Sequence, residues 1–428
     1  MFENAVVEGR FPHRFSCYLQ IAGYIVRNQN QQESKIMDYL VTEKSGTAIQ
    51  QAIDKAAQAG GGRVSLEPGV YPSGTIYLRS NIELHIPGGA KILGFPTPER
   101  YDDFRHPGFD SVTPEGSRKC LIACADCENV AITGSGEING SGPEFYDRNV
   151  PEGAVFAKPP YPRPRMIQFY NCRNVVFEGV SFIDSPGWTF WLIACEEVSI
   201  SRIRITGCQQ MINNDGIDID GCRRVTVSDS FFRTGDDCLI LRAIRRSPEV
   251  PAVCEEVVVT NCVLDSRCQG IRIGCPSDDT IRNCRFSNIV FRGLGSGIRC
   301  ENPYRYLRKN CEGYLKVSDL SFENFDIESG VYPIRINVEG AIRLRAVERI
   351  SFRNFRVRAK LPVSLEGNSN TPLKDICLSG ISGVVDGDTP LFVRNVSRLK
   401  LDDFDLTAVT GEPEVFERQE SASWETKF

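Results

Sequence analysis

The stretches CENVAITG (127–134), CRNVVFEG (172–179), CEEVSISR (195–202), CRRVTVSD (222–229) and CEEVVVTN (254–261) repeat one phrase. In each, a cysteine stands three residues before a valine: Cys127 and Val130, Cys172 and Val175, Cys195 and Val198, Cys222 and Val225, Cys254 and Val257. The last three valine intervals are 23, 27 and 32 residues. Within a phrase, apolar and polar residues alternate, as in a strand with one buried face. A period of this length made of short strands predicts a β-solenoid, whose units bury their apolar faces only by stacking. Degenerate copies continue as LKVSDLSFENF (315–325), VERISFRNF (347–355), LKDICLSG (373–380) and VSRLKLDDF (396–404). The Leu-x-x-Leu-x-Leu skeleton of leucine-rich repeats is missing. No linker interrupts the array, so the expectation is one solenoid over 41–428, with residues 1–40 as an appendage lacking a clear period.

Upstream of the repeats, Ala48, Ile49, Ala52, Ile53, Ala56 and Ala57 recur at helical spacing and Gly60-Gly61-Gly62 stops the helix. Thr47 with Gln50 reads as its capping box. Such a helix suits the open end of a sheet stack, which otherwise exposes unpaired backbone groups. The fold class is therefore all-β, a parallel β-helix with a short N-terminal capping helix.

The net charge of −5 and the scattered Lys and Arg argue against a nucleic-acid partner. Arg242, Arg245 and Arg246 read as a solvated loop. The 17 cysteines are odd in number and fall at one repeat position, which suits a stack of free thiols in a reducing compartment. Cys124 and Cys127 form a lone CxxC, weak evidence for zinc, and no metal or cofactor is expected. Residues 1–29 contain no apolar h-region, and no run approaches a membrane span, so a cytoplasmic location is expected unless an export signal has been removed.

Chemistry concentrates in MINNDGIDIDGCRRVTVSDSFFRTGDDCLILR (211–242). Asp215 and Asp236 lie about one rung apart, so the ladder stacks them roughly 4.8 Å apart. Gly235 permits the bend that brings Asp237 to the same cleft. Three crowded carboxyls cannot all ionise freely, so one is expected to stay protonated near neutral pH. A proton donor beside ionised carboxylates is what hydrolysis of a glycosidic bond requires, with Asp236 expected ~6.5–9.5 Å from the base carboxylates for inversion. Asp218 and Asp220 alternate with Ile217 and Ile219 and read as structural or solvated.

This segment resembles glycoside hydrolase family 28, the polygalacturonase and rhamnogalacturonan hydrolase group of right-handed parallel β-helices. The family's Asn-x-Asp matches Asn213, Asn214 and Asp215, and its Gly-Asp-Asp matches Gly235, Asp236 and Asp237. AIQQAIDKAAQAGGGRVSLEPGVYPSGTIYL (48–78) resembles the family's cap and first rungs, and SPGWTFWLIACEEV (185–198) resembles the rung before its active site. The likeness covers most of 40–410. It implies Asp236 as general acid, Asp215 and Asp237 as activators of water in an inverting hydrolysis, and a pectin-like or related carbohydrate as substrate. Tyr146 and Asp147 sit where the family places loop residues over the cleft.

The departures fall around this core. Gln269 aligns with the histidine of the family's Gly-His-Gly, and His13, His85 and His106 lie elsewhere in the chain. The family's Arg-Ile-Lys becomes Arg299, Cys300 and Glu301, putting an acid where a uronate carboxylate would be repelled. Trp191 stands where a third family histidine is common. Arg272 and Arg299 either bind a substrate oxyanion or neutralise the acids; Trp188 and Trp191 either stack a sugar or pack in the wall. Asn213 either positions a catalytic group or belongs to an asparagine ladder. The expectation is a hydrolase scaffold with a re-specified sugar site. A calcium-dependent lyase and a decayed carbohydrate-binding solenoid are the competing readings. Oligomeric state is not legible.

Overall fold

The computed structural model describes residues 37–108, 117–247, 249–306, 315–340 and 342–409. Within them the chain winds as a right-handed parallel β-helix of two sheets, one of 19 strands and one of 11. The repeated phrase is the register of the larger sheet: Val130 pairs with Val175, Val175 with Val198, Val198 with Val225, and Val225 with Val257. The solenoid expectation therefore holds residue by residue. Residues 1–36 lie outside the described residues, and the first strand, Asp38–Val41, pairs in parallel with Gly62–Leu66.

From Val253 onward the strands of the larger sheet lengthen to 14 residues, as in Val253–Ser266, Thr280–Gly293 and Lys316–Ser329. Four of these strands bend in mid-course at an asparagine with positive φ: Asn261 (55°), Asn288 (55°), Asn324 (59°) and Asn354 (57°). Asparagine tolerates this left-handed conformation better than most side chains. The amides then join rung to rung, Asn288 to Asn261 at 3.1 Å, Asn324 to Asn288 at 3.0 Å and Asn354 to Asn324 at 3.1 Å.

Inside the coil, equal positions bury equal side chains. Phe286, Phe322 and Phe352 stack with centroids 4.7 and 5.0 Å apart. Cys172, Cys195, Cys222 and Cys254 are buried free thiols, and every cysteine among the described residues is unbridged.

The helix, α1 (Gly46–Gln58), buries Ile49, Ile53 and Ala56 over the first rung. Its N-cap is Ser45, whose Oγ accepts the Ala48 N–H at 3.1 Å, so the expected Thr47–Gln50 box is not formed. Gln50 is engaged elsewhere. Its amide brackets the Tyr77 backbone, accepting from the N–H at 2.7 Å and donating to the carbonyl at 3.1 Å. Among the described residues no helix is long and apolar enough to cross a membrane.

The aromatic column yields a prediction. Phe322→Ala leaves a cavity between two stacked rings and lowers stability by about 3–5 kcal/mol, read as a drop in the denaturant or thermal midpoint. An unchanged midpoint would mean that Phe322 does not support its neighbouring rungs.

Candidate active site

The smaller sheet carries one strand per coil, and four of these strands frame the acidic segment: Ile217–Asp220, Leu239–Arg242, Gln269–Ile273 and Ser296–Glu301. Ile217 pairs with Leu239, Leu239 with Ile271, and Ile271 with Ile298. Counted back two residues, Asp215, Asp237, Gln269 and Ser296 form one column. The expected partner of Asp215 was Asp236, so the register is off by one. Backbone bonds show it directly: the Gly216 N–H donates to the Asp237 carbonyl at 2.8 Å, and the Cys238 N–H to the Gln269 carbonyl at 2.9 Å.

Asp215 and Asp237 are each 3% exposed, whereas Asp236 is only partly buried. Gly235 is required by close approach. A Cβ there would lie 2.2 Å from the Met211 carbonyl oxygen. Asn214 braces the turn, its Oδ1 accepting the N–H groups of Gly235 (2.9 Å) and Asp236 (3.1 Å). The Asp236 carboxylate accepts the N–H of Asn213 at 2.9 Å and of Asp237 at 3.0 Å. Its backbone carbonyl accepts the hydroxyls of Thr234 and Ser266. Asp236 is thus fixed on every side but the open one.

Carboxylate oxygens of Asp236 and Asp237 and the Cys268 sulfur lie within 4.8 Å of one another. That is closer than the spacing expected of an inverting pair, because the two aspartates are consecutive in the chain. Burial pushes Asp215 well above the ordinary carboxylate range, with the charges of Asp236, Asp218 and Asp237 adding to it and Arg242 opposing. Burial also raises Asp237, to about 6; Arg272 pulls it down and Asp236 pushes it up. Two carboxyls rather than one are therefore held toward the protonated form.

The cations were only partly foreseen. Arg242 is not in a solvated loop: it is 4% exposed, 2.6 Å from Asp218, 3.6 Å from Asp215 and under the Trp188 ring. Arg245 and Arg246 pair with Asp279 and Asp220. Arg272 lies 3.5 Å from Asp237 and 2.8 Å from Glu301, and Arg299 lies 2.9 Å from Glu301. Glu301 thus sits between two guanidiniums, which supply the counter-charge that its alignment with a lysine left unexplained.

Trp191 does not face a sugar. It is fully buried, donates to Asp220 at 3.2 Å and packs edge-on against Trp188 at 5.2 Å. The expectation of Trp191 as a substrate contact is corrected by this packing. Gln269 is 5% exposed, and its amide is occupied by the Ser296 N–H (3.2 Å) and the Cys268 sulfur (3.4 Å). Asn213, at φ 56°, joins no ladder; its side chain accepts from Arg163 at 2.9 Å. Arg163 and the Tyr146 hydroxyl both bond the Ile212 carbonyl, and Asp147 points to solvent. Asn214, Arg163, Arg242, Thr234 and Ser266 are site-building residues missed in the sequence. Only Asn214, inside Asn-x-Asp, carried a signal.

Residues 106–339 match the family model described as glycosyl hydrolases family 28. A probable polygalacturonase of Arabidopsis thaliana is 29% identical over 227 residues, covering 52% of this chain and 44% of the relative. A polygalacturonase of Persea americana is 25% identical over 49% of this chain and 50% of the relative. The chain spans about half the length of the curated relatives it matches. The crystal structure of a hyperthermoactive exopolygalacturonase from Thermotoga maritima superposes with a TM-score of 0.66 at 26% identity, covering 91% of this chain and 96% of that one.

Burial of Asp237 has a measurable cost. An acid held above its unfolded value near 3.9 supports folding below that pH and opposes it as pH rises through about 6. The thermal midpoint of Asp237→Asn therefore rises relative to wild type between pH 4 and pH 8, on top of a pH-independent loss from breaking the Arg272 pair. A pH-independent difference would contradict the burial effect.

Proposed function

The chain belongs to glycosyl hydrolases family 28, and from that premise we propose that it hydrolyses glycosidic bonds of a pectin-like polysaccharide or oligosaccharide. The observation that carries this reading is the asymmetry of the three carboxyls. Asp236 alone is partly exposed, and Asp215 and Asp237 are buried.

The roles follow from exposure and proton affinity. Asp236 is the group that reaches a glycosidic oxygen, so it delivers the proton to the leaving group. Asp215, which burial holds toward its protonated form, is the proton reserve of the cluster. Asp237, beside Arg272, is ionised above about 6 and withdraws the proton of an attacking water. Neither buried carboxyl is open enough to bond a sugar carbon, which supports attack by water and inversion despite the short Asp236–Asp237 spacing.

The sugar site departs from that of a standard polygalacturonase. Glu301 is shared by Arg272 and Arg299, so the two arginines present less positive field than two unpaired guanidiniums. Arg299 has the more exposed side chain, 25% against 10% for Arg272. It is the group proposed to meet a substrate hydroxyl or carboxylate, within a site that favours neutral or deoxy sugars beside the scissile bond.

Asp236→Asn lowers turnover by roughly 10²–10⁴-fold while circular dichroism and oligosaccharide affinity stay near wild type. Turnover unchanged by that substitution would remove Asp236 from the reaction. In the wild type, kcat/KM rises with pH through about 6 as Asp237 ionises. That limb disappears in Asp237→Asn, and a limb that persists there would belong to another group.

A further inference from the structure

The column of Asp215 and Asp237 does not end with the aspartates. It continues through Gln269 to Ser296 on the next two rungs. One position earlier on each rung, Asp236 is followed by Cys268. The Cys268 sulfur thus comes within 4.8 Å of both carboxylates.

Gln269 is tied at both ends of its amide. The Ser296 N–H donates to its Oε1 at 3.2 Å, and its Nε2 donates to the Cys268 sulfur at 3.4 Å. The Cys268 N–H is held in turn by the Ser266 hydroxyl at 2.8 Å, the hydroxyl that also grips the Asp236 carbonyl. The sulfur is therefore positioned from two directions, and the charged groups around it are Asp236, Asp237 and Arg272.

We infer that Gln269 and Cys268 form a positioning relay, running from the Ser296 N–H through the Gln269 amide to the Cys268 thiol, which stands within 4.8 Å of the Asp237 carboxylate, whose buried Oδ1 has no other hydrogen-bond partner, and so orients that carboxylate. The inference rests on the reading of Asp237 as the base. It gives the glutamine that aligns with the family's histidine a role inside the wall rather than on the sugar.

The chemistry suits the direction of the relay. Burial and the neighbouring charges of Asp237 and Asp236 push the Cys268 thiol well above its ordinary range, so the thiol form, with a proton to donate, is favoured. A donor at Asp237 favours the ionised carboxylate, and the Cys268 thiol acts in that sense, alongside Arg272 and against burial. The amide of Gln269 donates to sulfur, which leaves the S–H pointed away from it and toward the acids. Cys268 and Gln269 are positioning residues: each acts through Asp237.

The test is the pH dependence of kcat/KM in Cys268→Ala, Cys268→Ser and Gln269→Ala, beside wild type and Asp237→Asn. Loss of the thiol donor moves the acidic limb upward by roughly half to one pH unit in Cys268→Ala. Cys268→Ser restores a donor and returns the limb to the wild-type position or below. Gln269→Ala shifts it upward by less. A limb that stays in place in Cys268→Ala, or shifts alike in the alanine and serine variants, overturns the relay.

A second readout needs no turnover. The pH at which the thermal midpoint of each variant departs from that of the same variant carrying Asp237→Asn reports Asp237 ionisation alone. If Asp237→Asn retains the kinetic limb, the base assignment fails. The midpoint series then decides the relay by itself, an upward shift in Cys268→Ala reversed by serine supporting it and no shift overturning it.

Discussion

Everything in this protein depends on the parallel backbone ladder that joins one rung to the next. It converts a sequence interval of 22 or 32 residues into a single inter-strand spacing, as the pairings of Ile217 with Leu239 and of Leu239 with Ile271 illustrate. The same constraint stacks phenylalanines in the core, asparagines at the bends and carboxyls on the outer face of the smaller sheet. Placing like residues at like positions is favourable for rings and amides. For carboxylates it is costly, and the site is built around that cost.

The cost is met in two ways. Burial keeps Asp215 toward its protonated form, which removes one charge from the cluster. Arginines supply counter-charge for the others: Arg242 beside Asp215 and Asp218, Arg272 between Asp237 and Glu301. Removing one partner of such a buried pair strands the other, so these arginines are tied to folding as well as to chemistry. The Asp236 carboxyl accepts two backbone N–H groups and is left partly exposed.

The repeat phrase made the solenoid legible, because its valines are the ladder partners themselves. The three aspartates were legible too, through Gly-Asp-Asp and Asn-x-Asp. Their register was not: the insertion of Gly235 at a close backbone approach shifts the count by one, which spacing alone does not reveal. Arg242 was misread because alternation places it opposite the buried Leu239 and Leu241, and an outward position normally means solvent. Here the outer face is covered by Trp188, so outward still means buried. Trp191 was read from its place where a family histidine is common, and here that place is filled by packing against Trp188. Ser45 displaced Thr47 as the helix cap because Gln50 bonds the Tyr77 backbone in the adjoining strand, a partner far away in the sequence.

Three carboxyls on adjacent rungs, one partly exposed and two buried, are proposed to drive direct attack of water on a glycosidic bond. The most direct measurement is proton NMR of the first products formed from pectic and rhamnogalacturonan oligosaccharides. Attack by water gives new reducing ends with the anomeric configuration opposite to that of the cleaved bond. Products with the retained anomer, or unsaturated products with no water incorporated, would contradict it.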